Sequence, residues 1–294
     1  MSHFVTLVAA RGALADATVA RVQEASGGGA VHTLSAGEAV DIACPALPDP
    51  KSLAAALDGL PVDLLVTAKE GRRKRLLVAD MDGTVVTSET LDEMAAHAGL
   101  KDRVAAITQR SMNGEIDFAT ALRERVAMLR GLKLEALERT WERTRITPGA
   151  AELVATMRAH GAATALVSGG FTFFTGRVAA ALGFDEHRAN RLHDDGAALL
   201  GTVAEPILDR AAKLATLREL AARHGLDLSQ TLAVGDGAND LAMIEAAGLG
   251  IAFHAQPAVA AASRSRVAHA DLRALLFAQG YRAEEFQPGK LQPG

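Results

Sequence analysis

Two carboxylates two positions apart, Asp80 and Asp82, close the short apolar run Leu76–Ala79, with Gly83 and Thr84 just behind them. A second acidic group, Asp236 and Asp240 within "GDGAND", closes another apolar run far later in the chain. If both runs are strands of one parallel sheet, their C-terminal ends share an edge and three or four carboxylates converge. Like charges crowded in this way are costly unless a cation neutralises them. An oxygen-only donor set, with no His or Cys at hand, suits Mg²⁺, a hard ion that keeps several waters and commonly bridges to phosphate. A phosphate also needs donors. The Ser168 hydroxyl and the Gly169 backbone N–H, in "VSGGF", stand at a helix entrance, a natural anion site, and Lys213 in "DRAAKLATL" brings compensating positive charge. The combination suggests phosphoryl transfer, in which positioning and charge neutralisation do most of the work. In such a reaction Asp80 attacks phosphorus and an aspartyl-phosphate forms before water cleaves it. Asp82, its pKa raised by burial near its neighbours, protonates the departing alkoxide and then deprotonates the water.

The elements that must position these groups can be read from periodicity. Residues 4–67 parse as an apolar run (FVTLVAA), a helix (14–25), a "GGG" break, runs at 30–35 and 38–44, a helix (51–59) and VDLLVTA. That order, βαββαβ, predicts a small ferredoxin-like (ACT-like) α+β domain over residues 1–70. It is either a structural or dimerising appendage, the dimerising version making the protein a homodimer, or an amino-acid-binding regulatory module. "KEGRRKR" (69–75) reads as a solvated linker at the domain boundary. Residues 71–294 form the second domain. A stretch at about 88–145 has helical periodicity and no strand-like run, and is expected as a helical cap inserted after the first core strand. From Pro148 onward short apolar runs alternate with helical segments: "ATALVSGG" (163–170), "TLAVGDGAND" (231–240) and "LGIAFHA" (249–255). This predicts an α/β fold, a Rossmann-like doubly wound parallel sheet with the site along one edge. "RLHDDGAALLGTVAEP" (191–206) reads as a two-stranded hairpin turning at "DDG", outside the main sheet.

A chain of 294 residues with 49% hydrophobic but only 4% aromatic content must build its cores from Ala, Leu, Val and Ile. The net charge of −4 offers no electrostatic case for nucleic acid or an anionic membrane as partner. A single cysteine, Cys44, rules out an internal disulfide framework and a thiolate metal cluster, and fits a reducing compartment. No apolar run approaches 18 residues, and the N-terminal stretch meets charge too early for a secretory signal. The expectation is a soluble, cytoplasmic protein acting on a small molecule.

"DMDGT", "VSGG", the isolated Lys213 and "GDGAND" stand in the order of the four motifs of the haloacid dehalogenase (HAD-like) hydrolase superfamily, and the chain resembles its phosphatase branch over roughly residues 74–278. The resemblance implies Asp80 as nucleophile and Asp82 as acid/base, with Mg²⁺ held by Asp80, Asp236 and the backbone carbonyl of Asp82. It further implies that Ser168 and Lys213 bind the phosphoryl group, while Asn239 and Asp240 support the metal and the lysine. "TSETLDEMA", "GEIDFATALRERVAMLRGL", "VSGGFTFF" and "AGLGIAFHA" are similar to phosphoserine phosphatases in particular. That narrower resemblance implies Glu89 on the substrate amine, Arg125 on its carboxylate and Phe118 shutting the cap. The implied reaction is hydrolysis of O-phospho-L-serine to L-serine and phosphate, the last step of serine biosynthesis. Charge logic agrees, since an α-amino acid presents one cation and one anion to be matched. One departure is Gly83, where phosphoserine phosphatases often carry Ser.

Each residue alone has an ordinary reading. "DGT" and "GDG" are common turns, and "SGG" is commonly a flexible one. Lys213 is by default a solvated helix charge, Arg125 one of several on a salt-bridged face, and Glu89 a first-turn acid favoured by the helix dipole. His254, Cys44, Trp141 and the cap methionines are expected to have no chemical role. Two further functions remain open: a phosphatase or phosphotransferase for another small phosphomonoester, such as phosphohomoserine or phosphothreonine, and a non-catalytic amino-acid-binding regulatory protein.

Overall fold

The computed structural model describes residues 2–112 and 115–289. The chain opens with β1 (His3–Val8), α1 (Asp16–Ala25), β2 (Val31–Ser35), β3 (Ala39–Cys44), α2 (Pro50–Leu57) and β4 (Asp63–Ala68). The four strands form an antiparallel sheet in the order β2-β3-β1-β4. Alternation along each strand divides its two faces. Val5, Leu7, Val40 and Ile42 pack with Val22 of α1 and Leu53 of α2, and the buried Cys44 belongs to the same cluster. Thr6 and Asp41, one position out of phase, point the other way.

That second face meets the rest of the chain through buried polar groups. The Arg72 guanidinium donates to Asp41 Oδ1 at 2.7 Å, to Thr6 Oγ1 at 2.8 Å and to the Ala278 carbonyl at 2.9 Å, and lies 4.6 Å over the Phe4 ring. Its side chain is only 9% exposed. Segment 69–75 is therefore not the uniformly solvated linker its composition suggests: the inward-facing Asp41 and Thr6 require a donor, and Arg72 supplies it. Asp63 accepts three backbone N–H bonds, from Ala268 (2.7 Å), His269 (3.1 Å) and Ala270 (2.7 Å), and Glu38 pairs with Arg273.

The remaining elements are β5 (Leu76–Ala79), a turn over 81–85, α3 (Thr90–His97), α4 (Lys101–Met112), α5 (Phe118–Met128), α6 (Glu135–Arg143), α7 (Ala150–Ala159) and β6 (Ala163–Phe171). There follow α8 (Thr172–Leu182), β7 (Glu186–Asn190), the hairpin β8 (Leu192–Asp194) and β9 (Leu199–Val203), and α9 (Arg210–Arg223). The chain continues with β10 (Thr231–Gly235), α10 (Leu241–Ala246), β11 (Leu249–Phe253), α11 (Pro257–Ala262), β12 (Ser265–Val267) and α12 (Ala274–Ala278). Six strands make a wholly parallel sheet in the order β12-β11-β10-β5-β6-β7. Every residue of β5 and β10 is buried, which is why both read as unbroken apolar runs. The order of connection reverses at β5, which has β6 on one side and β10 on the other, so a crevice opens beyond their C-terminal ends.

Among the described residues five helices, α3 to α7, lie between β5 and β6, and the first four form an insert ahead of α7. The two connecting segments run antiparallel as a neck: Val86 bridges Ile146, the Thr87 N–H donates to the Arg145 carbonyl at 3.0 Å and the Thr147 N–H to Val85 at 2.9 Å. The β8–β9 hairpin leans on this insert, exchanging bonds between Leu199 and both Gly131 (2.8 Å) and Leu132 (2.9 Å). No helix among the described residues is long and apolar enough to cross a membrane. Replacing Arg72 by Ala leaves Asp41 buried without its counter-charge, and is expected to cost about 3–5 kcal/mol of unfolding free energy. Urea denaturation measures this; a loss below about 1 kcal/mol, the value of an exposed pair, would show that water takes over the role.

Candidate active site

Sheet register brings the two acidic groups together. Ala79 pairs with Val234 of β10 and with Leu166 of β6, and the Asp80 N–H still donates to the Val234 carbonyl at 3.0 Å. Asp80 and Asp236 thus emerge side by side where the strands end. Lys213 comes from the first turn of α9, whose start is fixed by Asp209 accepting the Ala212 N–H at 2.9 Å. The Lys213 side chain is fully buried, with Nζ 2.7 Å from Asp80 Oδ1 and 2.6 Å from Asp240 Oδ1. Burial alone would lower the ammonium pKa; the Asp240 and Asp80 charges outweigh it and hold the group above the usual lysine value. Burial raises the Asp80 carboxyl well above the ordinary range, the Asp240 charge adds to this, and Lys213 opposes it.

Asp236 accepts from the Thr84 hydroxyl at 3.0 Å, and burial with the nearby Asp240 charge pushes its carboxyl up to about 6. Carboxylate oxygens of Asp80, Asp236 and Asp240 all lie within 4.8 Å of one another. One ammonium against three carboxylates leaves two negative charges, which a divalent cation balances, and the donors are all hard oxygens. The residues present therefore fit a magnesium-type ion. Both Asp240 oxygens are already engaged, Oδ1 by Lys213 and Oδ2 by the Gly237 N–H at 3.1 Å, so Asp80 and Asp236 retain the free ligand atoms. The Asp82 carboxylate is not part of this trio. It turns toward Thr90, accepting from the backbone N–H at 3.1 Å and the hydroxyl at 3.2 Å, and burial pushes it up to about 7 against those bonds.

The phosphate-type donors lie opposite. Between Val167 and Phe171 the β6–β7 register shifts, so Ser168, Gly169 and Gly170 swell out of the ladder. The buried Ser168 Oγ accepts from the Gly170 N–H at 2.9 Å. A Cβ on Gly170 would sit 2.8 Å from Asp82 Oδ2, and one on Gly169 3.0 Å from the Phe118 ring and 3.9 Å from Asn239 Nδ2. Phe118, at the start of α5, thus reaches from the insert onto the bulge, and Asn239 approaches it from the other side.

Arg125, also on α5, is half-buried, with Nε bonded to the Ala121 carbonyl (3.2 Å) and Nη1 to Thr108 Oγ1 (3.3 Å). Burial lowers its pKa, while Asp92 and Glu89 oppose that by their charge. Glu89 keeps more than a third of its surface open to solvent. Burial, then the charges of Asp82, Asp236 and Asp92, push its carboxyl up to about 8, with Arg125 opposing and solvent at the cleft mouth moderating the effect. Asp80, Asp236, Asp240 and Lys213 therefore meet directly, Asp82 and Asn239 lie beside the Ser168–Gly170 bulge with Phe118, and Glu89 and Arg125 are near enough to feel each other's charge. Thr90 and Asp92 were not singled out, and Thr84 was noted without a role: a hydroxyl that orients a carboxylate shows its partner only in the fold, and Asp92 reads as one more first-turn acid.

This parallel sheet with its converging acids belongs to a known class. The chain is a member of the haloacid dehalogenase-like hydrolase family, whose model matches residues 77–245. It is 42% identical over 238 residues to a phosphoserine phosphatase of Streptomyces coelicolor, covering 80% of this chain and 58% of that one. A phosphoserine phosphatase of Streptococcus thermophilus is 44% identical over 199 residues, 68% of this chain and 93% of its own. Among solved structures, a probable phosphoserine phosphatase from Vibrio cholerae superimposes with a TM-score of 0.78 at 31% identity, over 95% of this chain and 86% of that one. The chain thus spans less than two thirds of the length of some curated relatives it matches.

Gly83 has φ +67°, and a Cβ there would lie 2.6 Å from Asp236 Oδ2. Gly83→Ala is expected to weaken Mg²⁺ binding by about tenfold, because left-handed strain of roughly 1–2 kcal/mol and the displaced carboxylate act together. Calorimetric Mg²⁺ titration checks this; unchanged affinity would show that Asp236 yields freely.

Proposed function

We propose that this chain is a Mg²⁺-dependent phosphoserine phosphatase that releases L-serine and phosphate from O-phospho-L-serine, the closing reaction of serine biosynthesis. The observation that carries the reading is the meeting of Asp80, Asp236 and Asp240 around the buried Lys213 ammonium at the sheet edge, with Asp82 beside them; Glu89 and Arg125, close enough to influence each other's charge, supply the groups for the amino-acid end. A phosphorylated amino acid needs one carboxylate for its ammonium and one guanidinium for its carboxylate, beside a phosphoryl site.

In this reading a carboxylate oxygen of Asp80 attacks phosphorus while the ester P–O bond breaks. Asp82, which burial keeps partly protonated near neutrality, gives its proton to the departing serine oxygen. It then takes a proton from the water that attacks phosphorus, and the Asp80 carboxylate is regenerated as phosphate leaves. Thr90 holds Asp82 in place for both transfers. Ser168, the Gly169 N–H and Lys213 grip the phosphoryl oxygens, with Asn239 supporting the far side and Asp240 anchoring Lys213. Asp80, Asp236 and the backbone carbonyl of Asp82 would hold Mg²⁺, which when bound supplies positive charge against the phosphoryl oxygens. Phe118, lying against Gly169, excludes water as the helical insert acts as a cap over about 88–145.

The N-terminal unit, residues 1–70, is read as an ACT-like module beside a phosphatase domain over 71–294, on the strength of its antiparallel β2-β3-β1-β4 order with two helices on one face. It would serve amino-acid binding or homodimer formation. The lone, buried Cys44 and the absence of any membrane-crossing helix among the described residues fit a cytoplasmic enzyme.

Asp80→Asn is expected to abolish phosphate release from phosphoserine without loss of fold, read by phosphate assay and circular dichroism; retained turnover removes Asp80 as nucleophile. Glu89→Ala and Arg125→Ala are expected to lower kcat/KM for phosphoserine by roughly a hundredfold, the order seen when one partner of a desolvated charge pair is truncated. Hydrolysis of p-nitrophenyl phosphate, which lacks both partner groups, should fall far less. Equal losses on the two substrates would place the amino-acid pocket elsewhere.

A further inference from the structure

The bulge at residues 168–170 interrupts the β6–β7 register, and the half-buried main-chain carbonyl of Gly169 within it is met by a side-chain donor. The donor is a side chain outside every motif. Asn190, the last residue of β7 and only 3% exposed, points Nδ2 at the Gly169 carbonyl oxygen at 2.8 Å. Its Oδ1 accepts the Leu208 N–H at 2.7 Å, and Nδ2 approaches the Leu208 carbonyl at 3.5 Å. Only this amide orientation works, because the Gly169 carbonyl can only accept and the Leu208 N–H can only donate. Leu208 immediately precedes Asp209, which caps α9 and so sets the height of Lys213.

From this juxtaposition we infer that Asn190 is a positioning residue: one buried amide locks the Ser168–Gly169 bulge to the start of the Lys213 helix, fixing the separation between the two halves of the phosphoryl seat. The inference rests on the reading of that seat given above. The bulge has left its ladder, and the α9 entry follows a loop; Asn190 supplies the bond that each lacks. A side chain of the same size that keeps only one end therefore uncouples them. Asp retains the acceptor for Leu208 but sets a carboxylate oxygen against the Gly169 carbonyl.

Orthophosphate is the probe, because it occupies the seat whatever ester the enzyme prefers. In the full-length protein, Asn190→Asp and Asn190→Ala are expected to raise the orthophosphate inhibition constant by about tenfold, the equivalent of one lost buried hydrogen bond or a little more. Mg²⁺ affinity should be unchanged, since Asn190 touches neither Asp80 nor Asp236. A general structural defect would instead lower the melting temperature and weaken both ligands together. Equal weakening of both, or unchanged phosphate inhibition in either folded variant, overturns the inference. Amide exchange in the wild type provides a reading that needs no variant: the Leu208 N–H should become more protected when orthophosphate binds, and unaltered exchange there also overturns it. Failure of phosphoserine as substrate leaves this test intact, whereas a wild-type protein that binds no orthophosphate overturns both readings.

Discussion

A lysine ammonium buried between two carboxylates is the constraint around which the rest of the structure is arranged. Removing three charged groups from water is costly, and their mutual attraction compensates only when geometry is close and remaining oxygens are bonded. Here both conditions hold. Lys213 reaches Asp80 and Asp240 within 2.7 Å, and the second Asp240 oxygen takes the Gly237 N–H. The arrangement demands that three distant segments end at one level, which a parallel sheet with right-handed crossovers provides. The surplus negative charge that remains makes the edge receptive first to a cation and then to the anion that the cation attracts.

Glycine makes that crowding sterically feasible. Gly83, Gly169 and Gly170 stand where a side chain would press on Asp236, Phe118 or Asp82. The hydroxyl groups of Thr84 and Thr90 then orient the two carboxylates that Lys213 does not touch. Asp80 and Asp240 are thereby held by Lys213, Asp236 by Thr84 and Asp82 by Thr90, so the acids at the edge stand in different surroundings.

How much of this could be read beforehand depended on the kind of signal. β5 and β10 announced themselves because strands covered on both faces are continuously apolar, and acids that follow such runs without a break fall at the sheet edge. Lys213 and Ser168 were found because their neighbours in sequence fit the same scheme. β7, with the sequence EHRAN, and the three-residue β12 escaped because edge strands are partly solvated and short. Arg72 was misjudged for a related reason: composition places a run of basic residues in water, while the partner that draws one of them inward lies 31 positions earlier, at Asp41. His254, set aside for want of a partner, has one in the Ala270 carbonyl, 2.8 Å from its Nε2. Contacts of this type are made by tertiary geometry and leave no local pattern.

The three amides gathered by Asp63 tie the N-terminal sheet to the far end of the parallel one. The segment they belong to, Ala268–Ala270, directly follows β12 and also receives the His254 ring, while the Gln256 N–H reaches back to the Asp236 carbonyl at 3.2 Å. A carboxylate on β4 thus lies at the far end of a set of bonds that begins at the Asp236 carbonyl. Without that sheet, the Ala270 N–H would lose the acceptor that reaches it in a buried setting, and the more open Ala268 and His269 amides would turn to water, so the segment after β12 would be held less firmly.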